Sequence, residues 1–324
     1  MKITDRVYGV VEITEPVLIE LINSKPVQRL KEINQHGAIQ FLSKQHNVSR
    51  FEHSIGVMLF LKSIGASMEE QIAGLLHDVP HTAFSHVIDW VFPSEEHDFH
   101  EQYHEKIIMN SEIPVILAKY GFAAQKLFDK KRFHLLESKL PDVCADRIDY
   151  SMRDRIAKFG MQKHIPAYLQ SFTVQNNQII MKDRKTAEAF ALDYLEMDKV
   201  QWGSSLSVAS YKILSDAFKI AIAKNILIME DFFGDDQSVI AKLKASKNPQ
   251  ILEKLELLNP KLAVEENQKE HDFYSKTKIR YVDPLFQENG VARRISEVSK
   301  VFKQQLEDHM QKAKKGTYIK IARK

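Results

Sequence analysis

Six of the chain's 13 histidines fall between positions 77 and 104: His77, His81, His86, His97, His100 and His104. That density is unusual for plain core packing, because every buried ring needs partners for two nitrogens. The window opens with His77-Asp78, which ends the apolar run Ile72-Ala73-Gly74-Leu75-Leu76. Ser67-Met68-Glu69-Glu70 stands before that run with the spacing of a capping box, and Pro80 follows it. The pattern predicts a helix that stops just after delivering a His and an Asp. Two further His-Asp pairs, His97-Asp98 and His271-Asp272, lie in polar stretches and read as surface.

Neighbouring residues on a helix point about 100° apart, so His77 and Asp78 suit two positions of one metal shell at a helix end. Such a mixed nitrogen and oxygen shell fits one divalent Mn, Fe, Ni, Zn or Co ion and tolerates Mg. The remaining ligands must come from elsewhere. His53 lies at a helix start in Arg50-Phe51-Glu52-His53, and Asp146 lies in the helical stretch Ala145-Asp146-Arg147-Ile148. Each has a plainer explanation: His53 as a satisfied helix-terminal imidazole, Asp146 as the partner of Arg147 or Arg153 on a solvated face. The order Arg-x-x-His, His-Asp, Asp along one chain is what gives the set weight.

Around these motifs the sequence reads as mainly α. Glycine is sparse, at 11 of 324 residues, and 44% of residues are hydrophobic, enough for a substantial core. A strand or hairpin is expected at 6–13. Helices follow from Pro16, from Pro26 to about Gly37, and over 53–65, 67–78, 83–92, 100–110, 113–128 and 141–158. A hairpin turns at Asn176-Asn177 within 172–182. Helices at 185–202, 205–230 and 236–270, a strand at 279–282, a helix at 290–313 and a strand at 318–321 complete the chain. A helical core over 1–170 and a mixed helical region with short strands over 171–324 are expected, the second completing the pocket and supplying an oligomer interface. The single cysteine, Cys144, excludes an intramolecular disulfide and a cysteine zinc cage. Neither a signal core nor a membrane-length apolar run is present, so a cytoplasmic, membrane-free protein is expected. From Lys276 onward 13 Lys/Arg face 5 Asp/Glu, which turns a net charge of +3 for the whole into −5 for the remainder. That basic end suits an anionic partner, a nucleotide or nucleic acid, or equally a solvated helix face.

Taken together the motifs resemble the HD-domain phosphohydrolases, in particular the branch of bacterial dGTP triphosphohydrolases and the SAM-and-HD-domain dNTP triphosphohydrolases. Gln28-Arg29-Leu30 is similar to the family's Gln-Arg-Leu segment. Arg50-Phe51-Glu52-His53-Ser54-Ile55-Gly56 is similar to its Arg-Phe-x-His-Ser-x-Gly, and His77-Asp78-Val79-Pro80-His81 with Phe84-Ser85-His86 to its His-Asp-x-Gly-His and Phe-Ser-His. Asp146-Arg147-Ile148-Asp149-Tyr150-Ser151-Met152-Arg153-Asp154 is similar to its Asp-Lys/Arg-x-Asp-Tyr-x-x-Arg-Asp. The resemblance implies an HD-domain helical bundle with small β-hairpins, in which His53, His77, Asp78 and Asp146 hold the metal. It implies Arg50 as a phosphate clamp, His81 and His86 facing the scissile phosphate, and His104 as a third active-site histidine with His100 its rival; separately, the three-residue spacing on an expected helix lets Asp89 orient His86, or leaves it a surface acid. Gln35, His36, Arg147, Tyr150, Asp154 and Lys199 would line the substrate pocket. The chain departs from the pattern at Pro80, where the family often has Gly, and at His36, where triphosphohydrolases often have Leu. No Arg occurs from 185 to 279, which leaves Lys199 to stand for a later phosphate-binding arginine, with Trp202 either stacking on a base or packed in the core. The first expectation is a metal-dependent phosphohydrolase that releases triphosphate from a dNTP. Its rivals are a phosphomonoesterase or nucleotidase on a smaller phosphoester, and a non-catalytic HD protein that binds nucleotide or nucleic acid. The resemblance also implies a homo-oligomer, a dimer or tetramer.

Overall fold

The computed structural model describes residues 1–92, 99–276 and 279–322; the pair His97-Asp98 lies outside them. At its centre the helix Arg50–Ser63 is buried on nearly every side. It packs between the helices Met68–Leu76 and Ala145–Phe159. The first two begin on serine caps: Ser49 Oγ accepts from Glu52 N and Ser67 Oγ from Glu70 N, each at 3.2 Å. The expected capping box is only half formed. Glu70 turns away from its own helix end and accepts from Leu135 N and Leu136 N at 2.7 and 3.0 Å, tying down the approach to the Ala145–Phe159 helix.

The N-terminal hairpin pairs Lys2–Asp5 with Gly9–Glu12. Residues 6–8 are its turn rather than a strand, because Asp5 Oδ1 accepts from Val7 N and Tyr8 N. The hairpin at Phe172–Gln175 and Gln178–Met181 forms as expected, with Asn176 and Asn177 both at positive φ. It extends into a four-stranded sheet with Leu285–Glu288 and Val291–Arg294. A second, three-stranded sheet joins Ala263–Glu266, Thr317–Ala322 and Phe273–Ser275.

Several expected elements are corrected. No strand covers 279–282; the strands are Leu285–Glu288 and Val291–Arg294, so the helix expected from 290 starts only at Ile295. Asn289-Gly290, at φ 51° and 81°, makes that turn. The segment 83–92 is a 3₁₀ stretch, Ser85–Trp90, entered through left-handed Phe84 and Ser85. The helix expected from Pro141 starts at Ala145, after a cis Leu140–Pro141 bond. The long helix expected over 185–202 closes as a π-turn at Asp198–Trp202, and 236–270 divides into Asp236–Ala245, Pro249–Leu257 and the strand Ala263–Glu266.

The largest core cluster runs from Val7 through the central helices to Phe286 and Phe302. A second joins Ala83, Phe84 and Val87 to the helix Ser205–Ala223 and to Phe232. Both clusters therefore combine early and late parts of the chain, and the residues that face the gap between them share one cavity. Among the described residues no helix is long and apolar enough to cross a membrane.

Candidate active site

Three elements bring the four expected ligands together: His53 from the first turn of the central helix, His77 and Asp78 from the end of the next, and Asp146 from the first turn of Ala145–Phe159. His53 Nε2 lies 3.0 Å from Asp146 Oδ1 and 3.8 Å from Asp78 Oδ2. His77 Nε2 lies 3.4 Å from Asp78 Oδ1 and 3.7 Å from Asp146 Oδ1. The ligand atoms of His53, His77 and Asp146 all fall within 4.8 Å of one another, a spacing that one ion could span.

The surroundings fit a cation. His77 Nδ1 is 2.7 Å from Gly74 O, so it carries the hydrogen and leaves Nε2 as a lone-pair donor. That Nε2 is buried and makes no hydrogen bond among the described residues. His53 is oriented in the same way: its Nδ1 is 2.8 Å from Asp149 Oδ2. Burial works against a charge on His53, but Asp146, Asp149 and Asp78 outweigh it and lift its pKa to about 10. Burial works against charge on Asp146 and Asp78 as well. His53 and His77 nevertheless hold the Asp146 carboxyl well below its usual range, and Arg50 with His77 does so for Asp78. Carboxylates that grip a proton on His53 this firmly would grip a divalent ion in its place.

Behind this shell Arg153, fully buried, bonds both oxygens of Asp149 and reaches Asp5 and Glu52. The alternative Arg153–Asp146 pair does not form, and Arg147 donates to Ser138 O and Asp142 O instead of Asp146. Gly56 permits the arrangement, since a Cβ there would overlap Arg153 Nη2 and Asp149 Oδ1.

On the other side of Asp78 sits a group of basic residues. Arg50 donates to Asp78 Oδ2 and to Ser85 Oγ, each at 2.9 Å. His81 Nε2 is 3.3 Å from Asp78 Oδ1. Burial, and then the charge of Arg50, push the His81 pKa well below its usual value. His86 Nδ1 is 2.9 Å from Asp89 Oδ2, and buried Asp89 also accepts from Phe99 N. The third ring in this group is His100, stacked on His81 at 3.8 Å and edge-on to His86 at 5.6 Å. His104, preferred from sequence, lines the same cavity but packs edge-on to Phe128 at 5.6 Å.

The main-chain frame of this group is fixed by Arg29. Its guanidinium donates to Val79 O and His81 O on one edge and to Phe233 O and Gly234 O on the other, at 2.7 to 3.1 Å.

From the metal shell a cavity of about 430 Å³ extends over Tyr150, Trp202 and Tyr211. Gln35, His36, Arg147, Tyr150 and Asp154 line it. Asp154 gathers His36 Nε2 at 3.0 Å, Gln35 Nε2 at 3.4 Å and the indole N–H of Trp202 at 2.8 Å. Lys199 is exposed and lies outside the lining. The late-chain cations that line it instead are Lys276 and Arg280, the latter with its backbone N–H held by buried Asp198 at 3.2 Å. Arg280 directly follows the arginine-free stretch 185–279, on a segment without regular structure. Among the described residues its guanidinium makes no ion pair.

A cage of imidazoles and carboxylates on three helices, opening on one side to clustered arginine and histidine, defines a metal-dependent hydrolase of phosphoesters. The chain belongs to the HD-domain family of metal-dependent phosphohydrolases, and the HD domain matches residues 50–151. It is 41% identical over 99% of both chains to YdhJ, an uncharacterised protein of Bacillus subtilis. It is 36% identical to the metal-dependent phosphohydrolase cns2 of Cordyceps militaris, over 65% of this chain and 63% of that one. A solved phosphohydrolase from Bacteroides thetaiotaomicron matches the whole fold, covering 100% of both chains at a TM-score of 0.73 and 18% identity.

Proposed function

We propose that the enzyme hydrolyses a nucleotide, with release of triphosphate from a dNTP as the first activity to test. The observation that carries this reading is the cavity. It holds the metal-ligand candidates with Arg50, His81 and His86, and Tyr150, Trp202, Tyr211 and Arg280 also line it, the Arg280 guanidinium making no ion pair among the described residues. Aromatic faces suit a base, and a guanidinium in addition to that of Arg50 suits a substrate with more than one phosphate.

In this reading His53, His77, Asp78 and Asp146 hold one divalent ion, which when bound would act as a Lewis acid on a phosphoryl oxygen. Arg50, braced by Asp78 and Ser85, donates from its remaining Nη2 to a phosphate oxygen. His81, with Nε2 directed at Asp78, lines the cavity beside Arg50. His86, with Nδ1 directed at Asp89, presents Nε2 to receive a proton from attacking water or to give one to the leaving oxygen. Gln35, His36 and Asp154 offer hydrogen bonds to sugar hydroxyls.

Purified protein loaded in turn with Mn, Co, Ni, Zn or Mg should be assayed against dNTPs, nucleoside monophosphates and simple phosphomonoesters. Tripolyphosphate with free deoxynucleoside is the expected product; orthophosphate from monoesters alone would replace this reading with a nucleotidase or phosphatase.

A further inference from the structure

Resting on the nucleotide reading, we infer that Gln201 is the residue that distinguishes a nucleobase from other groups, and that it does so without choosing among bases. The π-turn Asp198–Trp202 turns Lys199 and Val200 outward and Gln201 inward. Gln201 lines the cavity at 2% exposure, yet among the described residues neither its Nε2 nor its Oε1 has a hydrogen-bond partner. A buried carboxamide left so is costly, and buried polar groups are ordinarily paired. The unmet donor and acceptor are therefore a mould of what binds there: a planar edge with an acceptor beside a donor.

The position suits a base rather than a phosphate. The next residue, Trp202, lies 5.1 Å from the Tyr150 ring, which in turn lies 6.3 Å from His53. Gln201 is thus the chain neighbour of an aromatic ring that Tyr150 separates from His53. The turn is anchored from behind, where His309 Nε2 lies 2.8 Å from Asp198 Oδ2. Every nucleobase carries a donor next to an acceptor: an amino group beside a ring nitrogen in adenine and cytosine, a ring N–H beside a carbonyl in guanine and thymine. A carboxamide pairs with either order by turning over about its last bond. Gln201 therefore accepts all four bases and rejects a ligand that has none.

The chain's two tryptophans, Trp90 and Trp202, both line the cavity, so tryptophan fluorescence reports binding without turnover. The full-length metal-loaded protein would be titrated with the four 2′-deoxynucleosides and with methyl 2-deoxyribofuranoside, none of which has a scissile phosphate. Wild type should bind all four nucleosides with similar affinity and more tightly than the methyl glycoside. Q201L should weaken every nucleoside by roughly ten- to hundredfold and leave the glycoside unchanged. Q201E, which presents two acceptors, should favour deoxyguanosine, the one base with adjacent ring N–H and amino donors, over deoxyadenosine. Unchanged nucleoside affinity in Q201L, an equal loss for the glycoside, or an unaltered base order in Q201E overturns the inference while leaving the nucleotide reading intact. Wild type that binds the glycoside as tightly as the nucleosides overturns both.

Discussion

His77 and Asp78 illustrate how much one dipeptide carries. In the proposed site, replacing either with Ala removes a ligand atom, so both variants should lose bound metal and turnover together, read by elemental analysis and phosphate release. Asp89 acts one step back. Asp89→Asn keeps the shape but weakens the hold on His86, and should lower kcat by roughly 10- to 100-fold with KM little changed and metal content intact. His46 gives a different readout. Burial, reinforced by His36, pulls its pKa down to about 4 from the ordinary 6.5. The folded chain therefore binds this proton more weakly than the unfolded chain does. Its contribution to stability is complete above pH 6.5 and is lost as pH falls towards 4. Urea unfolding of His46→Gln between pH 7 and 4.5 should show a shallower acid loss than wild type.

Helices and turns decide which side chains meet, and here Gly56 has the largest leverage. A methyl group on that face of the central helix would push Arg153 off Asp149, and Asp149 off His53. Gly56→Ala should cost about 1–3 kcal/mol in denaturant unfolding and lower metal occupancy, although residue 56 touches no metal-shell atom. The candidate ligands lie on short motifs: the capping pattern from Ser67 marks the helix that ends at His77-Asp78, whereas Asp146 follows Cys144, which supplies no side-chain cap, and is marked by its motif alone. The late-chain lining of the cavity was less legible in the sequence. Lys199 stood at the right distance along the chain, but a π-turn shifts which residues face inward, and no local signal marks it. Arg280 reaches the cavity from an irregular segment held by long-range contacts: its own N–H on Asp198, Val282 in the core and Asp283 N on Pro141 O. His100 and His104 are one helical turn apart, and which of them meets His81 depends on where the Phe99–Tyr103 3₁₀ segment gives way to the helix from His104. The hairpin at Asn289-Gly290, by contrast, had a plain turn signal, overridden by the helical pattern that begins just after it.

At the scale of the whole molecule, the metal shell is a store of buried negative charge. Stripping the ion with a chelator should lower the melting temperature, and adding divalent metal back should restore it in a concentration-dependent way, since a ligand at a hundred times its Kd stabilises by about 2.7 kcal/mol. An unchanged melting curve on chelation would speak against an ion seated among these carboxylates. Arg29 sets a further condition on the whole. Because one guanidinium clasps carbonyls at 79 and 81 together with carbonyls at 233 and 234, the loop bearing His81 has its shape templated by chain made 150 residues later. A ribosome that has released only the motif-bearing half has made every metal-shell residue but not the clasp's other jaw. Catalytic competence should therefore arrive late in synthesis, and a chimera that exchanges one jaw without the other should assemble the cage but misalign its histidines.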